Sequence, residues 1–387
     1  MNILPIIDAS TSELQRMFRD LHAHPEIGFQ ENRTSTIVAE TLTQYGVDEM
    51  HLGLGGTGVV AVVRGKGQGN RRVGLRADMD ALPILEDTGL PHASQNEGVM
   101  HACGHDGHTT MLLGAAKHLC ATRDFDGTAV LIFQPAEEGL GGARRMIADG
   151  LFERFPCDEV YGLHNYPSGQ SGRFGVCKGA ALAGAAFFDV TVMGVGAHAA
   201  HPDESRDALM IAASLTTELN TIVARNINPH ETCVLSVTQL NAGSAYNIVP
   251  GTATLAGTVR YFKDEVYELI AARMHALCAG FATAHGVEVT LELRNVFDVL
   301  VNDADLAQAY VDAATDIVGA DYAFDDDLPS TGSEDFADML KVVPGAYCSL
   351  GHSGTVPLHN PGFVMGEEIL PIGASIMARL VERRLPL

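Results

Sequence analysis

The chain has 387 residues, 46% of them apolar and 19% charged, with 41 Gly and no Trp. This is the profile of a folded enzyme rather than a disordered or fibrous chain, at a length that favours two domains over one. Its 25 basic against 48 acidic side chains leave a formal charge of −23, a field that repels phosphate backbones and anionic lipid headgroups and so argues against nucleic acid or a membrane surface as partner. The opening residues carry no basic and apolar regions of a secretion signal, and no apolar run is long enough to span a bilayer. Seven cysteines, an odd number scattered along the chain, suit a reducing compartment, and the cytoplasm is the expected location.

In chain order, helix-spaced apolar residues predict helices over 11–23 and 34–45, and glycine-bounded β-branched runs predict strands over 59–64 and 73–77. A helix over 111–122, a strand over 128–134, a helix near 142–149 and a strand over 159–164 continue the alternation. It predicts an α/β fold with a mostly parallel central sheet flanked by helices. From about residue 183 the order becomes strand 187–193, helix 207–224, strands 232–240 and 253–261, helix 265–285 and strand 288–294, an α+β unit of the split-βαβ, ferredoxin-like type. Helix 304–318 and strand 345–350 then return to the first pattern. Residues 183–296 are therefore expected to be inserted into a discontinuous catalytic domain of residues 1–182 and 297–387. The acidic run Asp325 to Asp327 reads as a solvated loop.

The densest chemistry lies in His101-Ala102-Cys103-Gly104-His105-Asp106-Gly107-His108, ahead of the helix over 111–122. A thiolate and an imidazole two residues apart reach one divalent ion when the backbone turns, and Gly104 and Gly107 permit turning. Cys103 alone would more often be a buried structural thiol; His105 and the signals that follow reverse that balance. Gln134-Pro135-Ala136-Glu137-Glu138-Gly139 follows an apolar strand. Adjacent side chains of extended backbone point to opposite sides, so one carboxylate of the pair can bind a metal while the other takes a proton from water. In isolation such a pair more often opens an exposed helix, but active sites of open α/β sheets lie beyond the carboxyl ends of strands. His164 closes another apolar strand and His359 follows a Gly-rich turn; either alone would read as a loop histidine. Five donors of fitting type, one of them bridging, serve two ions with positions left for water and substrate.

These runs, together with His22-Ala23-His24-Pro25-Glu26-Ile27-Gly28, Arg76-Ala77-Asp78-Met79-Asp80-Ala81-Leu82-Pro83 and Gly332-Ser333-Glu334-Asp335-Phe336, make the chain resemble, nearly end to end, the aminoacylase and carboxypeptidase family of co-catalytic metallopeptidases. The likeness is to the branch containing hippurate hydrolase and the indole-acetyl-amino-acid hydrolases. The resemblance implies Cys103 as a thiolate bridging two divalent ions (zinc, manganese, cobalt or nickel), His105 and His164 completing one site, and Glu138 and His359 the other. It further implies Glu137 as general base and Asp80 as the aspartate that orients a ligand. The inserted unit is similar to the family's lid and dimerisation domain, which implies a homodimer or a dimer-based oligomer. There His198 and Asn247 would assist the oxyanion and Arg260 would pair with the substrate's α-carboxylate. Where the family usually has Gly-Gly-His and a later Asp-Pro, this chain has Gly196-Ala197-His198 and Asp207-Ala208, with an extra His201.

The implied reaction is hydrolysis of the amide bond of an N-acyl amino acid, with Glu137 passing a proton from water to the leaving amine. A dipeptidase or carboxypeptidase would differ in cleaving substrates with a free α-amino group. A catalytically silent metal-binding protein would have no use for Glu137. Gly53-Leu54-Gly55-Gly56-Thr57-Gly58 matches the dinucleotide fingerprint, but a β-branched run rather than a helix follows it, so nucleotide binding is not expected. No Gly-x-Ser-x-Gly elbow offers a serine nucleophile.

Overall fold

A computed structural model describes residues 1–387, which form two compact units: residues 1–181, 300–329 and 334–387, and residues 182–299 with 330–333. The first half of the first unit runs α1 (Pro5–Ala9), α2 (Thr11–Ala23), α3 (Asn32–Tyr45), β1 (Glu49–Leu54), β2 (Gly58–Arg64), β3 (Arg72–Asp78), α4 (His105–Thr122), β4 (Thr128–Gln134), α5 (Gly142–Ala148), α6 (Leu151–Arg154), β5 (Glu159–Tyr166), β6 (Phe174–Gly175) and β7 (Gly179–Leu182). The second unit holds β8 (Gly184–Met193), β9 (Ala197–His198), α7 (Ala208–Asn226), β10 (Cys233–Ala242), β11 (Ile248–Val249), β12 (Thr252–Tyr261), α8 (Asp264–His285) and β13 (Glu288–Phe297). The chain then completes the first unit with β14 (Leu300–Asn302), α9 (Ala304–Val318), β15 (Ala323–Phe324), α10 (Phe336–Leu340), β16 (Gly345–Gly351) and α11 (Leu370–Arg384).

The first unit is built on an eight-stranded sheet in the order β1-β2-β4-β3-β5-β16-β6-β15. Its centre is parallel (β4 with β3, β3 with β5, β5 with β16), and the antiparallel pairings lie toward the edges. β2, β3, β4 and β5 are buried along most of their length, which is why their sequences read as continuous apolar runs rather than alternating ones. Because the central strands are parallel, their carboxyl ends share one edge of the sheet, and the turns leaving β3, β4, β5 and β16 gather there.

Helix α4 is buried on nearly every side, against β3 and against α2, α3 and α11. It begins at His105, six residues earlier than the apolar spacing predicts, so His105 to His108 form its first turn instead of preceding it. Gly104 supplies the left-handed N-cap (φ +84°). Gly107 is tolerated inside the helix because a Cβ there would lie 2.1 Å from Met365 Cε. Helix α11 is absent from the sequence reading for a related reason: it is buried from Leu370 to Val381 with few breaks, and burial all round erases the polar face on which periodicity depends.

The second unit is an antiparallel sheet in the order β10-β12-β8-β13 with α7 and α8 packed on it, the strand order of a ferredoxin-like unit. Its bounds are wider than the expected 183–296, because Ala183 N–H donates to the carbonyls of Ser330 (3.1 Å) and Gly332 (2.9 Å) and so draws residues 330–333 into it. The acidic run is not simply solvated: Asp325 pairs with Lys178 at 2.6 Å and Asp327 with Arg173 at 2.5 Å. Gly53 to Gly58 lies in the hairpin between β1 and β2, so no helix presents its N-terminus to a phosphate.

Candidate metal centre

Three parallel strands and one helix start deliver the donors. Asp78 ends β3, Cys103 and His105 flank the cap of α4, Glu137 and Glu138 follow β4, and His164 lies near the end of β5. His359 comes from the loop after β16 and is held left-handed (φ +61°) while its N–H donates to the Ala102 carbonyl at 2.8 Å. The five expected ligands come together in two groups that share Cys103. One is Cys103, His105 and His164, the other Cys103, Glu138 and His359, and within each group the donor atoms lie within 4.8 Å of one another. Cys103 Sγ is 3.4 Å from His164 Nε2, and His359 Nε2 is 3.3 Å from Glu138 Oε1.

The histidine rings are oriented from behind. His164 Nδ1 lies 2.7 Å from the Asn165 carbonyl, so it carries the proton and leaves Nε2 a free lone pair. His105 Nδ1 is 3.2 Å from Asp80 Oδ1, and the other oxygen of Asp80 accepts the Glu138 N–H at 3.0 Å; Asp80 thereby ties a residue of one group to a residue of the other. His108 Nδ1 meets Asp78 at 2.6 Å, so its Nε2 accepts from the Asn165 backbone N–H at 2.9 Å. The Asn165 carboxamide then donates to the Cys103 carbonyl at 2.6 Å.

Asp78, His108 and Asn165 were not singled out from the sequence, nor was the buried cluster around Arg76. This guanidinium, wholly buried, donates to Asp78 (2.7 Å), Glu334 (2.8 Å), Asp335 (3.2 Å) and Gln134 (2.8 Å). Its charged members lay in two runs quoted without a role for this cluster, Arg76 to Pro83 and Gly332 to Phe336. Asp335 and Glu334 in turn back Glu137, whose Oε1 lies 3.4 Å from the Asp335 N–H.

His105 Nε2 is buried with no hydrogen-bond partner, 3.9 Å from Glu138 Oε1. Buried polar atoms are rarely left so, and a cation is the group that satisfies an imidazole lone pair, a thiolate and a carboxylate at once. The electrostatics agree. Burial, then Glu334 and Glu138, hold the Glu137 carboxyl well above the usual carboxylate range. Burial pushes the Cys103 thiol up, while His359 is raised to about 10 by its hydrogen bonds to Cys103 and Glu138. Burial opposes the charging of His105, but Asp78 and Cys103 outweigh it and raise it; burial and His108 hold His164 well below the ordinary histidine value. In the metal-free protein Cys103, His105 and His359 thus hold protons that cation binding would release.

Glu137 and Glu138 both approach His105 but otherwise have different neighbours, Glu334 and Asp335 for one and Cys103 and His359 for the other, and strand alternation is not the cause. β4 ends at Gln134, and the pair lies in a turn entered through Ala136, a non-glycine residue at φ +54°. On the second unit, β9 pairs with β11, setting His198 opposite Ile248, and the Ala199 N–H donates to the Asn247 carbonyl at 3.0 Å. His198 is exposed. Arg260 is half-buried on β12, bonded to Thr258 and the Val259 carbonyl and set 5.9 Å from the Phe187 ring, with no carboxylate on it.

The sequence profile of peptidase family M20/M25/M40 matches residues 74–383. Hippurate hydrolase of Campylobacter jejuni is 40% identical over 380 residues, 98% of each chain. The IAA-amino acid hydrolase ILR1-like 2 of Arabidopsis thaliana is 36% identical, covering 94% of this chain and 83% of its own. Among solved structures, the YXEP protein of Bacillus subtilis, described as a dinuclear metal binding peptidase, superposes with a TM-score of 0.84 at 32% identity, over 98% of this chain and 99% of that one.

Proposed function

The chain belongs to peptidase family M20/M25/M40, and from that premise we propose that it hydrolyses the amide bond of N-acyl amino acids with Glu137 as the proton carrier beside two divalent cations. The observation that carries this reading is the pair of donor groups sharing Cys103, set next to a buried carboxylate that belongs to neither. Cys103, His105 and His164 would hold one cation and Cys103, Glu138 and His359 the other; when bound, the cations polarise the carbonyl and make water acidic enough to lose a proton near neutral pH. Glu137 takes that proton from the attacking water and delivers it to the amide nitrogen as the C–N bond breaks. Its raised affinity for a proton suits both transfers. Asp80 keeps the His105 ring in register throughout.

His198 and Asn247 are assigned to the developing oxyanion and Arg260 to the substrate's α-carboxylate, on the motifs of the inserted unit. An Arg lacking an acidic partner of its own supports the last assignment. The hydrolase names of the relatives support a carboxylic acid and a free amino acid as products. A dimer formed through the second unit, zinc, manganese, cobalt or nickel as the cation, and a reducing compartment suited to seven free cysteines complete the proposal. No helix is long and apolar enough to cross a membrane.

Metal analysis with a substrate panel tests it. About two divalent ions per chain are expected, with Cys103→Ala losing metal and turnover together. N-acetyl, N-benzoyl or N-indoleacetyl amino acids should be cleaved in preference to dipeptides with a free α-amino group. One tightly bound ion at saturation, or cleavage only of free-amino substrates, would refute the reading.

A further inference from the structure

Two stretches of sequence remain without a role: the residues just after the N-terminal motif, at Glu31, and the Gly-rich hairpin containing Thr57. They meet at one carboxylate. Glu31 is fully buried at the N-cap of α3. One carboxylate oxygen accepts the Ala136 N–H at 2.8 Å, and the other accepts the Thr57 hydroxyl at 2.5 Å. Ala136 is the left-handed residue through which the chain enters Glu137 and Glu138. Its carbonyl is pinned as well, by the Gly142 N–H at 3.0 Å. Gly28 leaves the space it occupies, since a Cβ there would lie 3.0 Å from Ala136 Cα and Cβ.

For an L-residue this conformation is disfavoured, and it persists only where the surroundings over-determine it. If Ala136 relaxed to the ordinary right-handed or extended region, the two carboxylates after it would swing away from their separate neighbours. Glu138 would leave His359 and Cys103, and Glu137 would leave Glu334 and Asp335.

We propose that Glu31, held in place by Thr57, is a positioning residue for the reaction: it locks Ala136 left-handed and so sends consecutive carboxylates to different tasks. The proposal rests on the assignment of Glu137 as base and Glu138 as ligand, and its test carries a readout that does not.

Four variants are compared with wild type: Glu31→Ala, Thr57→Val, Ala136→Gly, and Glu31→Ala combined with Ala136→Gly. Each is measured for kcat and KM, for cobalt affinity, and for hydrogen exchange at the Ala136 amide. Glu31→Ala should lower kcat by roughly a hundredfold with KM within about threefold, weaken the more loosely held cobalt by about tenfold, and speed exchange at Ala136. Thr57→Val should move all three the same way by a smaller factor. Glycine needs no clamp to stay left-handed, so adding Ala136→Gly to Glu31→Ala should restore kcat by about tenfold, the ratio corresponding to about 1.4 kcal/mol. A residue that merely supports folding would not be rescued by glycine at another site.

The proposal is overturned if Thr57→Val and a folded Glu31→Ala keep wild-type kcat and wild-type exchange. It is equally overturned if the loss in Glu31→Ala is untouched by Ala136→Gly while exchange and cobalt affinity stay normal. Should Glu31→Ala fail to fold, Thr57→Val decides by the same criteria. A wild-type protein inactive on every N-acyl amino acid refutes the functional reading instead, and exchange and cobalt affinity still decide the clamp.

Discussion

Gly104→Ala tests the framework behind the candidate centre, because its cost divides into parts that the geometry assigns. The residue is left-handed at φ +84°, and a Cβ would fall 2.3 Å from Asn165 Nδ2, 2.9 Å from Asn165 Cγ and 3.2 Å from Met365 Sδ. The backbone conformation costs about 1 kcal/mol for a residue other than glycine. Overpacking a rigid interior adds about 1–3 kcal/mol, and the displaced Asn165 loses its bond to the Cys103 carbonyl, worth about 1 kcal/mol. The sum, about 3–5 kcal/mol, should appear in guanidinium unfolding of the metal-free protein. With no Trp in the chain, far-UV circular dichroism is the suitable probe. Gly46→Ala is the control: Gly46 is also left-handed, at φ +78°, but nothing lies within 4 Å of its Cβ position, so only the conformational part of about 1 kcal/mol should be lost. Because Asn165 also accepts from His164, metal affinity should fall about tenfold to a hundredfold in Gly104→Ala and not in the control. Equal destabilisation of the two variants, or unchanged metal affinity in Gly104→Ala, would refute the claim that Asn165 holds the Cys103 loop.

Glu137→Gln should retain both metals yet lose turnover by at least about 10²–10⁴-fold; metal loss comparable to that of Glu138→Gln would show the two roles to be reversed. Arg260→Ala should raise KM by about 10–100-fold, as expected for one charge-assisted hydrogen bond, for substrates with a free α-carboxylate but not for their carboxamides, and equal effects on both would count against the assignment. His22 gives a pH test. Burial opposes its protonation, but Asp106 at 2.7 Å and Glu86 at 3.4 Å raise it to about 10. A histidine whose folded value lies above the unfolded 6.5 contributes stability that is fully present below about pH 6.5 and lost as pH rises toward 10. His22→Gln should therefore flatten the fall in metal-free stability over that window, and an unchanged slope would show that the pair does not carry charge.

Much of the candidate site could be read from residue types because its donors are clustered: Cys103 and His105 fall two residues apart, and His164 and Glu138 sit where strands end. The fold class was legible for the same reason, since buried parallel strands produce apolar runs that local windows detect. What escaped depends on meetings between distant residues. Arg76 and Glu334 are 258 positions apart and hydrogen-bonded, and nothing local distinguishes a buried ion cluster from a charged strand end followed by a charged loop. The different surroundings of Glu137 and Glu138 were expected from strand alternation, but the strand stops three residues before Glu137 and the pair follows a left-handed alanine in a turn. The early start of α4 was hidden by Gly104 and Gly107, which look like breakers until the cap and the pressure of Met365 are seen.

The inclusion of residues 330–333 in the second unit bears on how such enzymes can be recombined. An insertion that left and re-entered its host once could be exchanged as a cassette, with one cut on each side. Here the chain enters the second unit twice, and the second visit ends at Ser333, one residue before Glu334 and its bond to the buried Arg76. Swapping residues 182–299 alone for those of a relative would leave Ala183's acceptors at Ser330 and Gly332 matched to a foreign strand, next to the carboxylates that back Glu137. A graft of the second unit must therefore carry both pieces, and the junction after Ser333 is the one that adjoins Glu334 in sequence.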